Sequence, residues 1–455
     1  MFGTRSQCRP YDAEHHKILC SISRRSIALY SLLLLTFLSP RQAFAEEYSL
    51  GTSEIEKKPY HLGGYAELRP VLNGLDRNAA LYKLNFYNHD KGATTYEYNG
   101  ELQLEGSYEY DISRLYIRTN TDYKNTYLSQ TTQTIVQEGY LALKPSSSLQ
   151  IEAGKKALNW GKGYAWNPVA FLDRPKDPND PELSREGYIV LSADFIKSFG
   201  GPLKTVSFTP VLLPVYENVN DGFGNTNYLN FAGKLYFLLY DTDIDLIFLS
   251  GGSKTDRYGF DFSRNITTNL ELHGEFAWIN NYTRQFVDSS GNMLQNTYDA
   301  KNFLFGLRYL TEKDTTYILE YYHNDTGFTI DQMKDYFSFI DTGYNAFLTS
   351  CNAALLNRAS TLAAGNYGKM SPMQDYLYLR ISQKEPFDIL YFTPAVTLLT
   401  NMNDDSYTIT PELLYTRYTN FEFRLRGGYI AGARSTEFGE KQNDYRVELR
   451  GRYYF

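Results

Sequence analysis

The chain ends Tyr445-Arg446-Val447-Glu448-Leu449-Arg450-Gly451-Arg452-Tyr453-Tyr454-Phe455, and this stretch alternates strictly. Tyr445, Val447, Leu449, Gly451, Tyr453 and Phe455 fall on one side, and Arg446, Glu448, Arg450, Arg452 and Tyr454 on the other. Successive strand side chains point to opposite faces, so this strand has one apolar, aromatic face and one charged face. A soluble sandwich could turn the charged face to water. Here the same pattern recurs along a chain with no other hydrophobic interior. Lipid outside and a wet lumen inside satisfy both faces at once, which predicts a transmembrane antiparallel up-and-down β-barrel.

Alternation elsewhere yields about eighteen strand segments, with sixteen as the alternative, the first at 61–69 and the last at 444–455. Single-chain bacterial barrels have an even number. Tight connections are expected at 111, 144–148, 200–202, 241, 264–267, 311–314, 383–387 and 419, and longer ones at 70–97, 156–186, 213–227, 281–300, 324–373 and 432–443. Short and long trade places in this reading, as they would if one rim were periplasmic turns and the other external loops. Within 330–364 the period changes: Met333, Phe337, Ile340, Tyr344, Phe347 and Leu348 recur at three and four residues, which reads as helix in an external loop.

At the N-terminus, Arg24 and Arg25 precede an apolar run from Ile27 to Leu38 and the small-x-small end Ala43-Phe44-Ala45. These are the three parts of a secretory signal, expected over 1–45 with the mature chain starting at Glu46. The run is too short for a spanning helix, which needs ~20 apolar residues. A polar lead-in at 46–60 then precedes a barrel over 61–455. The signal contains six basic and two acidic residues, so the mature chain keeps 39 basic against 50 acidic, a net charge of about −11. That charge disfavours nucleic acid, which needs a basic stripe. Cys8 and Cys20 lie in the leader and leave Cys351 alone after Glu46, so neither an internal disulfide nor a cysteine metal cluster is expected in the mature chain. With 16% aromatic residues and 41 tyrosines the chain is rich in the side chains that form interfacial belts, while its mean hydropathy stays negative because only alternate residues need be apolar.

The most distinctive local sequence runs from Gly154 through Lys155, Lys156, Trp160-Gly161-Lys162-Gly163 and Trp166-Asn167-Pro168 to the charged, proline-rich stretch Asp173, Arg174, Lys176, Asp177, Asp180 and Arg185. Over roughly 151–191 it resembles a group of outer-membrane porin-like proteins in which a strand ending Gly-Lys/Arg is followed by Trp-Gly-x-Gly and Trp-Asn-Pro. More distantly, it is similar to the eighteen-stranded alginate-export barrels. Elsewhere the resemblance is one of pattern. It implies passage of solutes or polysaccharide through an arginine-rich lumen, often with an infolded loop.

Lys155, Lys156, Trp160, Lys162, Trp166, Asp173, Arg174, Lys176, Asp177 and Arg185 are therefore the candidate constriction loop. The charged members of the alternating strands are the candidate lumen lining: Glu101, Glu105, Arg114, Arg118, Glu152, Glu271, Glu275, Arg308, Glu320, Arg380, Glu412, Arg424, Arg426, Arg446, Glu448 and Arg450. Facing lipid at mid-depth, each would cost ~2–4 kcal/mol, so they point inward. The expected function is passive or weakly selective diffusion of small hydrophilic solutes, anionic or saccharide ones among them, across a bacterial outer membrane. The alternatives are polysaccharide export and a loop-plugged structural or surface-binding barrel. An outer-membrane hydrolase is disfavoured because His61, His89, His273 and His323 occur singly without a nearby serine motif. No cofactor is implied. The expected partners are outer-membrane lipid and lipopolysaccharide, small polar solutes, and the barrel-assembly machinery through the strand ending at Phe455. The sequence leaves the oligomeric state open.

Overall fold

The computed structural model describes residues 58–89 and 92–455. The signal expected at 1–45 and nearly all of the lead-in lie outside the described residues. Residues 59–87 and 92–455 form one compact unit; of a second unit only Lys58, Asn88 and His89 are among the described residues.

The first unit is a closed barrel of eighteen antiparallel strands. They are β1 (Tyr60–Leu75), β2 (Thr94–Tyr110), β3 (Ser113–Asn125), β4 (Gln130–Ser146), β5 (Leu149–Lys156), β6 (Tyr188–Ser198), β7 (Leu203–Val215), β8 (Tyr228–Leu239) and β9 (Thr242–Ser250). The second half comprises β10 (Arg257–Asn265), β11 (Leu270–Val287), β12 (Met293–Leu310), β13 (Thr315–His323), β14 (Asp375–Gln383), β15 (Phe392–Asn401), β16 (Ser406–Tyr415), β17 (Phe421–Ala431) and β18 (Asn443–Tyr454). Each strand pairs with its chain neighbours, and β18 closes onto β1 with Tyr454 opposite Tyr65 and Glu448 opposite Val71. The seam is finished by reciprocal 3.1 Å backbone hydrogen bonds between Gly64 and Phe455. Closure leaves no unpaired strand edge.

The terminal strand adopts the expected faces: Leu449 is 52% exposed on the outer wall, whereas Arg450 on the inner wall is 2% exposed. Leu68, Leu102, Phe305, Val447 and Tyr453 continue the apolar outer surface. Tight turns carry residues that tolerate positive φ. Tyr240 (48°) and Asp241 (57°) give the two-residue hairpin between β8 and β9 its left-handed pair, and Asp111 (49°) and Asn420 (66°) serve other turns of the same rim.

On the opposite rim the structure corrects the reading of connection lengths. β11 and β12 run on as a long hairpin, so 281–300 is mostly strand and the connection shrinks to 288–292. The connections at 126–129, 251–256 and 402–405 are short as well, so this rim mixes lengths. The β12 half of the extension, 293–297, is exposed at every position and so carries no hydrophobic period, whereas on the β11 half Arg284 and Val287 are buried and Phe286 packs against the helical cluster.

The helical reading of 330–364 agrees with the structure, which has α2 (Ile330–Ser350) and α3 (Ala354–Leu362); a shorter α1 (Ala80–Phe86) lies in the β1–β2 connection. Thr329 and Gln332 form a capping box that starts α2. Its apolar face is not a loose excursion. Met333, Tyr336, Phe337, Phe339 and Ile340 are buried in one cluster with Ala80, Leu84 and Trp166 and with the inward-facing strand residues Leu304, Ile318, Tyr322, Tyr376, Tyr378 and Leu399. Tyr336, Tyr367 and Phe328 stack with centroids about 4.0–4.1 Å apart. Cys351 ends α2 in the left-handed region (φ 54°) and is disulfide-bonded, where the sequence reading expected no internal disulfide.

Candidate functional site: the infolded loop and the charged bore

Residues 157–187 leave β5 and cross the bore. Their path is set by carboxylates on the barrel wall. Glu275 of β11, 2% exposed, accepts from the backbone N–H groups of Lys162 (2.6 Å), Gly163 (2.7 Å) and Val169 (3.2 Å) and from the Asn167 amide (2.9 Å). Glu320 of β13, fully buried, accepts from the N–H groups of Tyr164 and Ala165 (2.9 Å for Ala165) and lies 3.0 Å from His273 Nε2. Glu138 of β4 takes the Ala157 N–H at 3.0 Å. Charge-assisted bonds of this kind are short and strong, and here each carboxylate grips backbone of the loop.

This arrangement gives the glycines of the Trp-Gly-x-Gly element a concrete reason. Gly161 has φ +95°, and a Cβ there would fall 2.8 Å from Glu275 Oε1; a Cβ on Gly163 would fall 2.1 Å from the Trp166 carbonyl. The tryptophans anchor both ends of the crossing. Trp160 is buried in a cluster with Val169, Phe171, Leu172 and wall residues such as Val211 and Ile247. Trp166 stacks on Tyr322 (5.2 Å), packs on Tyr376 and Tyr378, and donates its Nε1–H to Ser371 at 3.0 Å.

The loop's own charges divide into three uses. Asp173 turns inward on the loop and accepts from the N–H groups of Leu158 (2.8 Å), Asn159 (3.0 Å) and Trp160 (3.0 Å), while Asp177 closes a local turn with Asn179. Lys155 and Arg174 share Glu186 at 2.5 and 2.8 Å, and Lys156 pairs with Glu152. Two residues staple the loop across the bore. Lys162 sits 3.0 Å from Asp245 and 3.8 Å from Asp261 on β9 and β10, and Asp180 meets Arg450 at 2.7 Å and Arg426 at 3.4 Å on the far wall. Burial lowers the Lys162 ammonium's pKa, but the two aspartates outweigh it and hold it above the usual lysine value. Burial likewise raises Asp180, and Arg426 and Arg450 reverse that and hold its carboxyl below the usual range.

Lys176 and Arg185 have a different surrounding. Lys176 donates to the carbonyls of Gly163 (2.6 Å) and Tyr164 (3.1 Å), and Arg185 to those of Arg174 (2.8 Å) and the Asn159 side chain (2.6 Å); neither makes an ion pair among the described residues. Burial and the neighbouring Arg185 push the Lys176 ammonium below its usual value. Both line a cavity of roughly 290 Å³ between loop and wall, together with Arg118, Asn159, Asn167 and Glu182.

The wall charges at inward strand positions form two fields. On β14 and β16–β18, Arg380 (3.0 Å), Arg424 (3.5 Å) and Arg426 (2.6 Å) converge on Glu412, and Arg446 and Arg450 flank Glu448 at 2.7 and 3.0 Å. Across the seam, Arg452 meets Glu67 at 2.7 Å. Arg118 pairs with Glu138 at 2.6 Å and Arg114 with Glu109 at 3.7 Å; Glu101 and Glu105 take the hydroxyls of Tyr65 and Tyr116. On the other wall Asp245, Asp261, Glu271 and Glu275 share β9–β11, and the register sets Glu271 opposite Arg308. Sequence reading missed Glu67, Glu138, Asp245 and Asp261. Each stands at an inward position of its strand, so the alternation itself carried the signal.

No family model matches the chain, and no curated protein matches it. Among solved structures, Pseudomonas aeruginosa OccK11 (OpdR) is similar at TM-score 0.46 and 10% identity over 87% of this chain and 95% of that one. A triple mutant of the Rhodopseudomonas blastica porin is similar at TM-score 0.42 and 9% identity over 87% of this chain and all of that one. The barrel described above rests on its own strand pairing.

Proposed function

We propose that the chain is a porin-like channel of the bacterial outer membrane that lets small hydrophilic solutes, anionic ones favoured, diffuse past the infolded loop. The apolar outer wall requires lipid around it, because a water-facing surface of that extent would associate. No helix among the described residues is long and apolar enough to cross a membrane, so in this reading the strands do the crossing. One observation carries the selectivity: Lys176 and Arg185, neither of them ion-paired among the described residues, line the cavity beside the loop together with Arg118, which Glu138 holds at 2.6 Å, and with one carboxylate, Glu182. Cations fixed along a narrow aqueous path attract anions and slow cations. The role is binding and passage, not catalysis. His273 is engaged with Glu320, and His323 with Asp375 at 2.7 Å.

Outer-membrane lipid and lipopolysaccharide would contact the exposed belt. The assembly machinery would recognise the strand that ends at Phe455, which forms the closing seam. Planar-bilayer recording of the refolded protein tests the reading: expected are discrete conductance steps and a reversal potential on the anion-selective side. An absence of steps would remove it.

One observation favours a second reading, a barrel plugged by its own loops. α2, α3 and Trp166 fill part of the bore with a continuous apolar cluster. Liposome swelling with sugars of graded size separates the two, since a plugged barrel admits none.

A further inference from the structure

The β17–β18 connection folds inward, carrying Phe438 into the apolar cluster that holds α2 and leaving Glu437 only 1% exposed. Glu437 Oε2 accepts from the Tyr376 hydroxyl at 2.7 Å and from the Asn401 amide at 2.8 Å, and the same Tyr376 oxygen accepts the Met373 N–H at 2.8 Å. Met373 is fully buried and forms a parallel bridge with Phe328, so the helical connection 324–373 leaves and rejoins the wall at this point. On the other side, Asp404 accepts the Glu437 N–H at 2.6 Å. One side chain thus joins three connections of the outer rim, 324–373, 402–405 and 432–443.

The junction is poorly made for an anion. Among the described residues Glu437 makes no ion pair within 4.0 Å, and its buried Oε1 has no hydrogen-bond partner. The titratable or charged groups that face it are Tyr376 of β14, Asp404 of the 402–405 turn and Lys441 of its own connection, while β15 and β16 present the neutral Asn401 and Ser406. Glu440 is engaged elsewhere, with the N–H groups of Ala80 and Ser435, and Arg434 pairs with Asp76 at 2.6 Å. A carboxylate held out of water with one oxygen unmet and a second carboxylate nearby is disfavoured against its neutral acid. Burial, with Asp404 added, pushes the Glu437 carboxyl up to about 7, although Lys441 and the two hydrogen bonds pull the other way.

We propose that Glu437 is a proton-operated latch at the mouth of the bore: protonated, it holds 432–443 against the neck of the helical connection, and ionised, it lets that connection swing out. Because the carboxyl titrates higher latched than free, a closed latch keeps its proton over a range in which an open one has lost it. Closure is therefore fully supported in acid, weakens about tenfold per pH unit between about 4.5 and about 7, and levels off above that. The inference rests on the channel reading for its consequence, freer passage at neutral pH than in acid, and not for the latch itself.

Amide hydrogen exchange of the folded, detergent-solubilised barrel tests it, with wild type compared to Glu437→Gln at each pH so that the intrinsic pH dependence of exchange cancels. Glutamine keeps the acceptor oxygen and cannot ionise. At about pH 5 the two proteins are expected to protect 432–443 and Met373 to within a few-fold of each other, and by about pH 7.5 the wild type should be protected about tenfold or more weakly than the variant. Asp404→Asn removes the neighbouring charge and keeps an acceptor for the Glu437 N–H, so in that background the decline should level off at lower pH. A wild-type-to-variant ratio that stays constant from pH 5 to 7.5, a glutamine variant already loosened at pH 5, or an Asp404→Asn curve unmoved from wild type would each overturn the proposal. A latch that opens with pH in a protein that conducts no ions would sink the channel reading and leave the latch standing.

Discussion

From β16 through β18 to β1, arginine and carboxylate meet side chain to side chain: Glu412 collects Arg380, Arg424 and Arg426, and Glu67 and Glu448 alternate with Arg446, Arg450 and Arg452. On β11 and β13 the buried carboxylates of Glu275 and Glu320 instead meet the backbone of 157–187. The first wall is satisfied within the strands and needs the loop only at Asp180. The second is completed by the loop. A carboxylate in a low-dielectric site must find donors, so these two glutamates and the crossing segment hold one another in place.

Removing the loop should show the largest effect. Replacing 158–186 by a short glycine-serine linker is expected to raise single-channel conductance several-fold and abolish anion preference; unchanged conductance and selectivity would show that the loop does not set the path. Next comes Glu275→Ala, which strands the N–H groups of Lys162, Gly163 and Val169 in a buried setting. Leaving such donors unmet costs about 1–3 kcal/mol each, so the loop should loosen, visible as flickering currents and as protease cutting near Trp160 that the wild type resists. A loop that stays rigid would mean that the aromatic anchors suffice.

The first wall can be probed with a matched pair of arginines. Arg450→Ala leaves Glu67, Glu448 and Asp180 short of a buried partner and is expected to cost about 3 kcal/mol in urea unfolding of the detergent-held barrel. Arg446→Ala, at a side chain 42% exposed, should cost ~1 kcal/mol or less. Equal losses would contradict the view that burial decides their weight. The smallest effect concerns acid. Because Asp180 titrates lower folded than unfolded, its stabilisation is complete above about pH 4 and is lost as the pH falls through its depressed value. Channel noise should therefore rise on strong acidification in the wild type, and already at neutral pH in Asp180→Asn.

Much of this was legible beforehand in particular residues. Tyr445 to Phe455 fixed the period, the faces and the closing strand, since alternate positions either touch the apolar outer surface or turn to the bore. The helices of 330–364 followed from Met333, Phe337 and Ile340. The rim was harder: on Asn281 to Ala300 the β12 half is exposed at 293–297, and the buried positions of the β11 half include the polar Arg284, so no apolar period marks the strands. Trp160, Gly161, Gly163 and Trp166 stood out in the sequence, but their purpose did not, because the partners are Glu275 and Glu320, over a hundred positions away.

The alternation of apolar and polar positions is already written in residue order, and with it a closed sheet whose charged side chains turn inward. That property is local: one residue and its neighbour suffice to define two faces. Which charges neutralise one another and which grip backbone is settled in three dimensions. Those outcomes depend on distances across the bore between strands remote in the chain, and no spacing along the polypeptide encodes them.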